Sequence, residues 1–167
     1  AIVPVYDVGE QDGQPYFVMR YMAGGSLTQM LASKGRLPLE DTAHIIGRIC
    51  AALNHAHKQN IIHRDIKPDN ILFDLDNNPY ISDFGVARPA ATSASSPSEG
   101  QVGTPGYMSP EQIHQESVDE RSDVYSLGVV IYQMLTGRKR SRLETKTSPL
   151  RGRPFPQPIP DILSEVP

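Results

Sequence analysis

His63-Arg64-Asp65-Ile66-Lys67-Pro68-Asp69-Asn70, followed by Asp83-Phe84-Gly85, is the polar centre of this chain. Asp65, Asn70 and Asp83 put three oxygen-bearing side chains at turns flanking a short hairpin, predicted as Ile71-Leu72-Phe73 and Tyr80-Ile81-Ser82 around Asp76-Asn77-Asn78-Pro79. Antiparallel strands can bring Asn70 and Asp83 side by side. Two hard oxygen ligands that leave room for water and phosphate suit Mg²⁺. Lys67, close after Asp65, can hold a fixed positive charge beside the carboxylate. That suits an Asp accepting a proton while the Lys holds a phosphate. The same residues also fit a polar loop with helix caps, and alone they leave both roles open.

Working outward, Ile2 to Val8 and Tyr16 to Met19 read as a strand hairpin about a Glu10-Gln11-Asp12-Gly13 turn. Gly24-Gly25 breaks the chain, and Ser26 is placed to cap a short helix over 27–33 that Gly35 ends. Pro38 opens a long helix over 38–58, with Ala43, Ile46, Ile49, Cys50 and Leu53 at helical spacing. Ile61-Ile62 is a short extended segment, 89–103 is a Ser/Ala/Pro-rich loop, and 110–115 can form one short helix. Leu127, Val130, Ile131, Met134 and Leu135 predict a buried helix over 121–136, stopped by Gly137. Strands first, then mostly helices with a small hairpin between them, is an α+β arrangement.

With 167 residues, 38% hydrophobic and 21% charged, the chain is one domain or a piece of a larger one, with enough apolar content for a core. A net charge of −3 gives no support for a surface that is basic throughout, so no nucleic-acid partner is expected. A single cysteine, Cys50, excludes an intrachain disulfide, and a reduced, cytoplasmic location is expected. No apolar run is long enough for a membrane span. Ala1-Ile2-Val3-Pro4-Val5 has no initiator Met and no charged leader, and starts inside a predicted strand, so a fragment or processed chain is expected. Composition changes near Gly137. Acidic residues are in surplus before it. Arg138, Lys139, Arg140, Arg142, Lys146, Arg151 and Arg153 then face Glu144 alone, and a proline-rich stretch follows.

The ordered set HRDIKPDN, DFG, Gly103-Thr104-Pro105-Gly106-Tyr107-Met108-Ser109-Pro110-Glu111 and Asp123-Val124-Tyr125-Ser126-Leu127-Gly128 resembles the catalytic lobe of eukaryotic-type protein kinases, in the form seen in bacterial Ser/Thr kinases. The resemblance covers about 1–137. It implies a protein-kinase-like fold, mostly the helical C-lobe with the last strands of the N-lobe. Residues 1–22 would be the end of the N-lobe and the hinge, 23–137 the C-lobe, and 138–167 an atypical basic, then Pro-rich segment. The implied activity is ATP-dependent phosphorylation of Ser/Thr hydroxyls on protein substrates, with ATP and Mg²⁺ as cofactors.

Position by position, the resemblance implies that Asp65 orients the substrate hydroxyl and accepts its proton. Lys67 would neutralise charge on the transferred phosphate, and Asn70 and Asp83 would hold Mg²⁺. His63 and Phe84 would stack in a buried column, with Val5 above and Asp123 anchoring it below. Met19, Arg20, Tyr21 and Met22 would be the gatekeeper and hinge, the adenine meeting the backbone of Arg20 and Met22, with Leu72 under the ring and Ser26 near the ribose. Arg20 departs from the acidic residue usual there. Arg64 implies control by phosphorylation. Thr92, Ser93, Ser95, Ser96, Ser98 and Thr104 are acceptor candidates, and Thr104 would alternatively touch Asp65 and Lys67. His44, His55, His57 and His114 have no metal-ligand spacing and are expected to be surface or core residues.

No Gly-x-Gly-x-x-Gly occurs in the 167 residues. A kinase of this family needs that loop, together with a strand Lys and a helix Glu. The chain alone is therefore expected to be inactive. Glu111 would lack its usual arginine partner, and a shifted reading frame is the expectation for 139–157. The alternatives are a non-catalytic, pseudokinase-like binding or regulatory module, and a small-molecule kinase. The latter class lacks the GTPGYMSPE segment.

Overall fold

A computed structural model describes residues 1–84 and 106–139. Thr92, Ser93, Ser95, Ser96, Ser98 and Thr104, and the basic and Pro-rich segment beyond Lys139, lie outside the described residues.

β1 (Val5–Gln11) and β2 (Gln14–Met19) form an antiparallel hairpin. Its turn is tighter than predicted. Gln11 pairs with Gln14, leaving Asp12 and Gly13 as a two-residue loop with φ of 53° and 75°. Positive φ at both positions matches the strand twist, and an Asp-Gly pair tolerates it. The start of β1 also differs from the predicted Ile2–Val8. Val3 N–H donates to the Ile81 carbonyl and Ile81 N–H to the Ala1 carbonyl. Residues 1–3 thus run beside the second hairpin, and Pro4, which has no N–H for a ladder, separates the two pairings.

α1 (Leu27–Lys34) starts with a reciprocal cap. Ser26 Oγ accepts the Gln29 N–H at 3.3 Å and Gln29 Oε1 accepts the Ser26 N–H at 2.9 Å. α2 (Leu39–His57) begins one residue after Pro38, whose carbonyl accepts the Thr42 N–H. β3 (Ile71–Phe73) and β4 (Pro79–Ile81) form the expected small antiparallel hairpin, Ile71 opposite Ile81, but β4 starts one residue earlier than the predicted Tyr80–Ser82, so Pro79 belongs to the strand rather than the turn. α3 (Pro110–Ile113) is a single turn. α4 (Glu120–Thr136) ends at Gly137 with φ of 70°, the left-handed cap that glycine adopts without penalty. α4 is less uniformly buried than expected. Leu127, Val130 and Met134 are in the core, while Val124 and Tyr132 are exposed.

One core joins these pieces: Leu27 and Leu31 of α1, Ile45, Ile49 and Leu53 of α2, Ile71, Phe73 and Ile81 of the small hairpin, and Leu127, Val130 and Met134 of α4. Gly24 lets the chain after β2 lie against β3. Its N–H donates to the Phe73 carbonyl at 2.8 Å, and a Cβ there would collide with the backbone of Phe73 and Asp74. This packing sets the loop 61–70 between α2 and β3 against the N-terminal half of α4, and the site is built there.

Candidate active site

Asp123, near the start of α4, is 1% exposed and organises the loop. Its Oδ2 accepts the His63 N–H at 2.9 Å and lies 2.7 Å from His57 Nε2, while its Oδ1 accepts the Arg64 N–H at 2.8 Å. A buried carboxylate is tolerable only when such donors satisfy it. Arg64 takes φ of 70°, a costly conformation for a long side chain. Both of its backbone groups are held. Asp123 takes the N–H, and Gln112 Nε2 donates to the carbonyl at 2.7 Å.

His63 is fully buried, and its ring centroid lies 4.6 Å from that of Phe84. Its Nε2 donates to the Ser82 carbonyl at 2.8 Å and its Nδ1 accepts the Asp65 N–H at 3.2 Å, which is the neutral tautomer. Burial pushes the imidazole below its ordinary value of 6.5, against the opposing pull of the Ser82 carbonyl and of Asp123, Asp65 and Asp83. The expected column is thus present at Phe84, His63 and Asp123. Val5 does not join it, being 57% exposed on the edge of the hairpin.

Asp65 follows directly. Lys67 Nζ lies 2.7 Å from Asp65 Oδ2, and Asn70 Nδ2 donates to the Asp65 carbonyl at 2.8 Å and to Oδ2 at 3.2 Å. The short 3-10 turn Pro68–Asn70 folds Asn70 back onto Asp65. Asn70 is buried, and its Oδ1 accepts no hydrogen bond among the described residues. Ser82 ties the second strand in: its N–H donates to the Asn70 carbonyl at 2.9 Å, and its Oγ reaches Asp83 Oδ2 at 3.2 Å. Asp83 itself is exposed, with φ of 62°. Among the described residues no group of three or more His, Cys, Asp or Glu side chains gathers as a metal site. An amide oxygen and a carboxylate nonetheless suit Mg²⁺, which keeps waters and takes phosphate oxygens.

After β2, the Arg20 N–H donates to the Pro4 carbonyl at 3.0 Å and the Met22 carbonyl accepts the Gly25 N–H. The Arg20 carbonyl and Met22 N–H have no partner among the described residues, an acceptor and a donor two residues apart. Met22 is buried and Met19 is 38% exposed. Ser26 and Leu72 are joined by a backbone bridge, so both border the same place, although the Ser26 hydroxyl is engaged as the α1 cap.

Three details were not legible in advance. His57 is a partner of Asp123 rather than a plain surface or core residue. Gln112 braces Arg64, although Ser109-x-x-Gln112 is readable as a capping box and marks Gln112 as an inward-reaching side chain. Glu111, expected to lack its usual arginine partner, accepts from the Ser122 hydroxyl. Burial works to raise its carboxyl, yet the Ser122 hydroxyl, its own N–H and Ser109 outweigh that and hold it below the ordinary 4.5.

The sequence matches the family described as "Protein kinase domain" over residues 1–152, running past Gly137 where the composition changes. It is similar to serine/threonine-protein kinase PknB of Mycobacterium leprae, 44% identical over 142 residues, which is 82% of this chain and 23% of the relative. PknB of Mycobacterium tuberculosis is 44% identical over 143 residues, with the same coverage. Serine/threonine-protein kinase PknL of M. tuberculosis is 38% identical over 137 residues, 34% of its length. The chain therefore spans about a quarter to a third of the length of these relatives. Motifs, their folded arrangement and a match across most of the sequence converge: the chain belongs to the protein kinase domain family.

Proposed function

We propose that this chain supplies the catalytic loop and the Mg²⁺-binding half of a kinase that phosphorylates Ser/Thr hydroxyls on proteins. The observation that carries it is the Asp65 carboxylate held between Lys67 Nζ at 2.7 Å and Asn70 Nδ2 at 3.2 Å. Residues 1–22 form the end of the upper lobe and the hinge, and 23–137 the helical lobe.

Asp65 orients the acceptor hydroxyl and takes its proton as the oxygen attacks. Lys67, 2.7 Å from that carboxylate, lends its charge to the transferred phosphoryl oxygens. Asn70, with Oδ1 unused, and Asp83 would hold Mg²⁺, which supplies charge neutralisation for the phosphates when bound. The free Arg20 carbonyl and Met22 N–H bind the adenine edge, Met19 closes its back, and Leu72 and Ser26 border the ring and ribose. Arg64 receives a phosphate from the segment that carries Thr92, Ser93, Ser95, Ser96, Ser98 and Thr104. The family name and the names of the relatives, which are Ser/Thr kinases, support the substrate class.

The sequence contains no Gly-x-Gly-x-x-Gly, and we expect no phosphotransfer from these 167 residues by themselves. The test is a chimaera in which the stretch of M. leprae PknB that precedes the matched region is joined to Ala1. It should phosphorylate Ser/Thr in a general acceptor protein, and Asp65→Asn should lower the rate by about 10²–10⁴. A folded chimaera that binds no Mg-nucleotide would refute catalysis and favour a binding module.

A further inference from the structure

The peptide plane between Arg64 and Asp65 is held at both edges. Gln112 Nε2, from α3, donates to the Arg64 carbonyl at 2.7 Å, and on the opposite edge the Asp65 N–H donates to His63 Nδ1 at 3.2 Å. These two groups belong to one rigid unit, so turning either turns the other. The plane follows a residue with φ of 70°, a conformation that an arginine keeps only when its surroundings impose it. Asp123 imposes it on the N–H side at 2.8 Å, and Gln112 on the carbonyl side. Gln112 is itself oriented. Its Oε1 accepts the Ser109 N–H at 3.1 Å and the Ser109 hydroxyl at 3.2 Å. A backbone N–H can only donate, so the amide oxygen faces Ser109 and the NH₂ group faces Arg64.

What this plane aims is Asp65. Lys67 Nζ and Asn70 Nδ2 both meet its Oδ2, at 2.7 and 3.2 Å, while its Oδ1 accepts no hydrogen bond among the described residues. Oδ1 is the oxygen left for an acceptor hydroxyl, and its direction depends on the backbone that carries it. Without Gln112 the plane would keep only the long bond to His63. We propose that Gln112 is a positioning residue: by pinning the Arg64–Asp65 peptide plane it holds Asp65 Oδ1 toward the attacking hydroxyl. The proposal rests on the catalytic reading of Asp65 given above. It gives the Gln112 amide two separable tasks. The oxygen caps α3, and the NH₂ group couples α3 to the loop between α2 and β3.

Two substitutions in the chimaera separate these tasks. Gln112→Glu keeps an oxygen for Ser109 and turns a second oxygen on the Arg64 carbonyl. It should lower kcat by about three- to tenfold, with the KM for Mg-ATP and the thermal melt unchanged. Gln112→Lys keeps a donor and loses the cap, so it should melt lower yet turn over faster than Gln112→Glu. Rates that follow the melting temperatures instead of the donor overturn the proposal. The second readout needs no activity. In the whole 167-residue chain, amide exchange followed by NMR should be about three- to tenfold faster at Asp65 in Gln112→Glu. The His63 amide, which is held by Asp123, should not change. Unchanged exchange at Asp65 overturns the proposal as well. An inactive chimaera with Gln112 in place refutes the catalytic reading, and the exchange rates then decide alone whether Gln112 pins the plane.

Discussion

His63 shows how much one side chain carries. Its neutral ring is hydrogen-bonded at both nitrogens, to Ser82 on one side and to the Asp65 N–H on the other. A second proton would go on Nδ1, where the Asp65 N–H already points. Burial opposes it as well, so the folded group titrates below its unfolded value of 6.5. The unfolded chain then binds more protons in that window. Its stability contribution is full above about 6.5 and is lost as pH falls toward the folded value. The urea midpoint should therefore drop between pH 7.5 and 5.5, with a slope from this group of at most about 1.4 kcal/mol per pH unit. His63→Gln, which keeps a donor toward Ser82, should show a shallower drop, and an unchanged one would refute the assignment. Residues of this kind were legible in the sequence because chemistry fixes their identity. His57 was not, because its partner Asp123 lies 66 positions away and nothing local to the helix records it.

At the scale of elements, helix existence was legible and boundaries less so. Apolar spacing marked α2 and α4, Ser26 marked the start of α1 and Gly137 the end of α4, since caps are local chemistry. The first strand was misplaced because two pairings share one short stretch, and only the tertiary structure divides them at Pro4. Gly24 read as a break in the chain, and in the fold it is a point of close approach. Gly24→Ala should force the segment before α1 away from β3 and cost about 1–3 kcal/mol. The same change at Gly47, which has nothing within 4 Å of an added Cβ and sits inside α2, should be neutral or stabilising. Thermal melts of the two variants check this, and equal shifts would show that the close approach carries no weight.

For the whole molecule, the decisive information was the order of motifs along the chain rather than its composition. Net charge and hydrophobic fraction fit many soluble folds, whereas HRDIKPDN, DFG and the segment ending at Glu111 fix a lobe in which α4 buttresses the loop between α2 and β3. What the order of motifs did not reveal is the brace from Gln112 to Arg64, which spans 48 positions.

The grip of Asp123 on the loop has a consequence for solvent isotope labelling. The amides of His63 and Arg64 belong to no helix or strand, and an irregular segment ordinarily trades its protons with deuterium within moments. Here both protons end on a carboxylate that is itself sealed inside the protein. They can be released only when α4 parts from the loop, so in heavy water they should persist as long as amides in the middle of α2. Asp123→Asn, which leaves a single acceptor oxygen, should let at least one of them go early. Fast exchange at both sites in the unaltered chain would mean that α4 and the loop between α2 and β3 separate without unfolding.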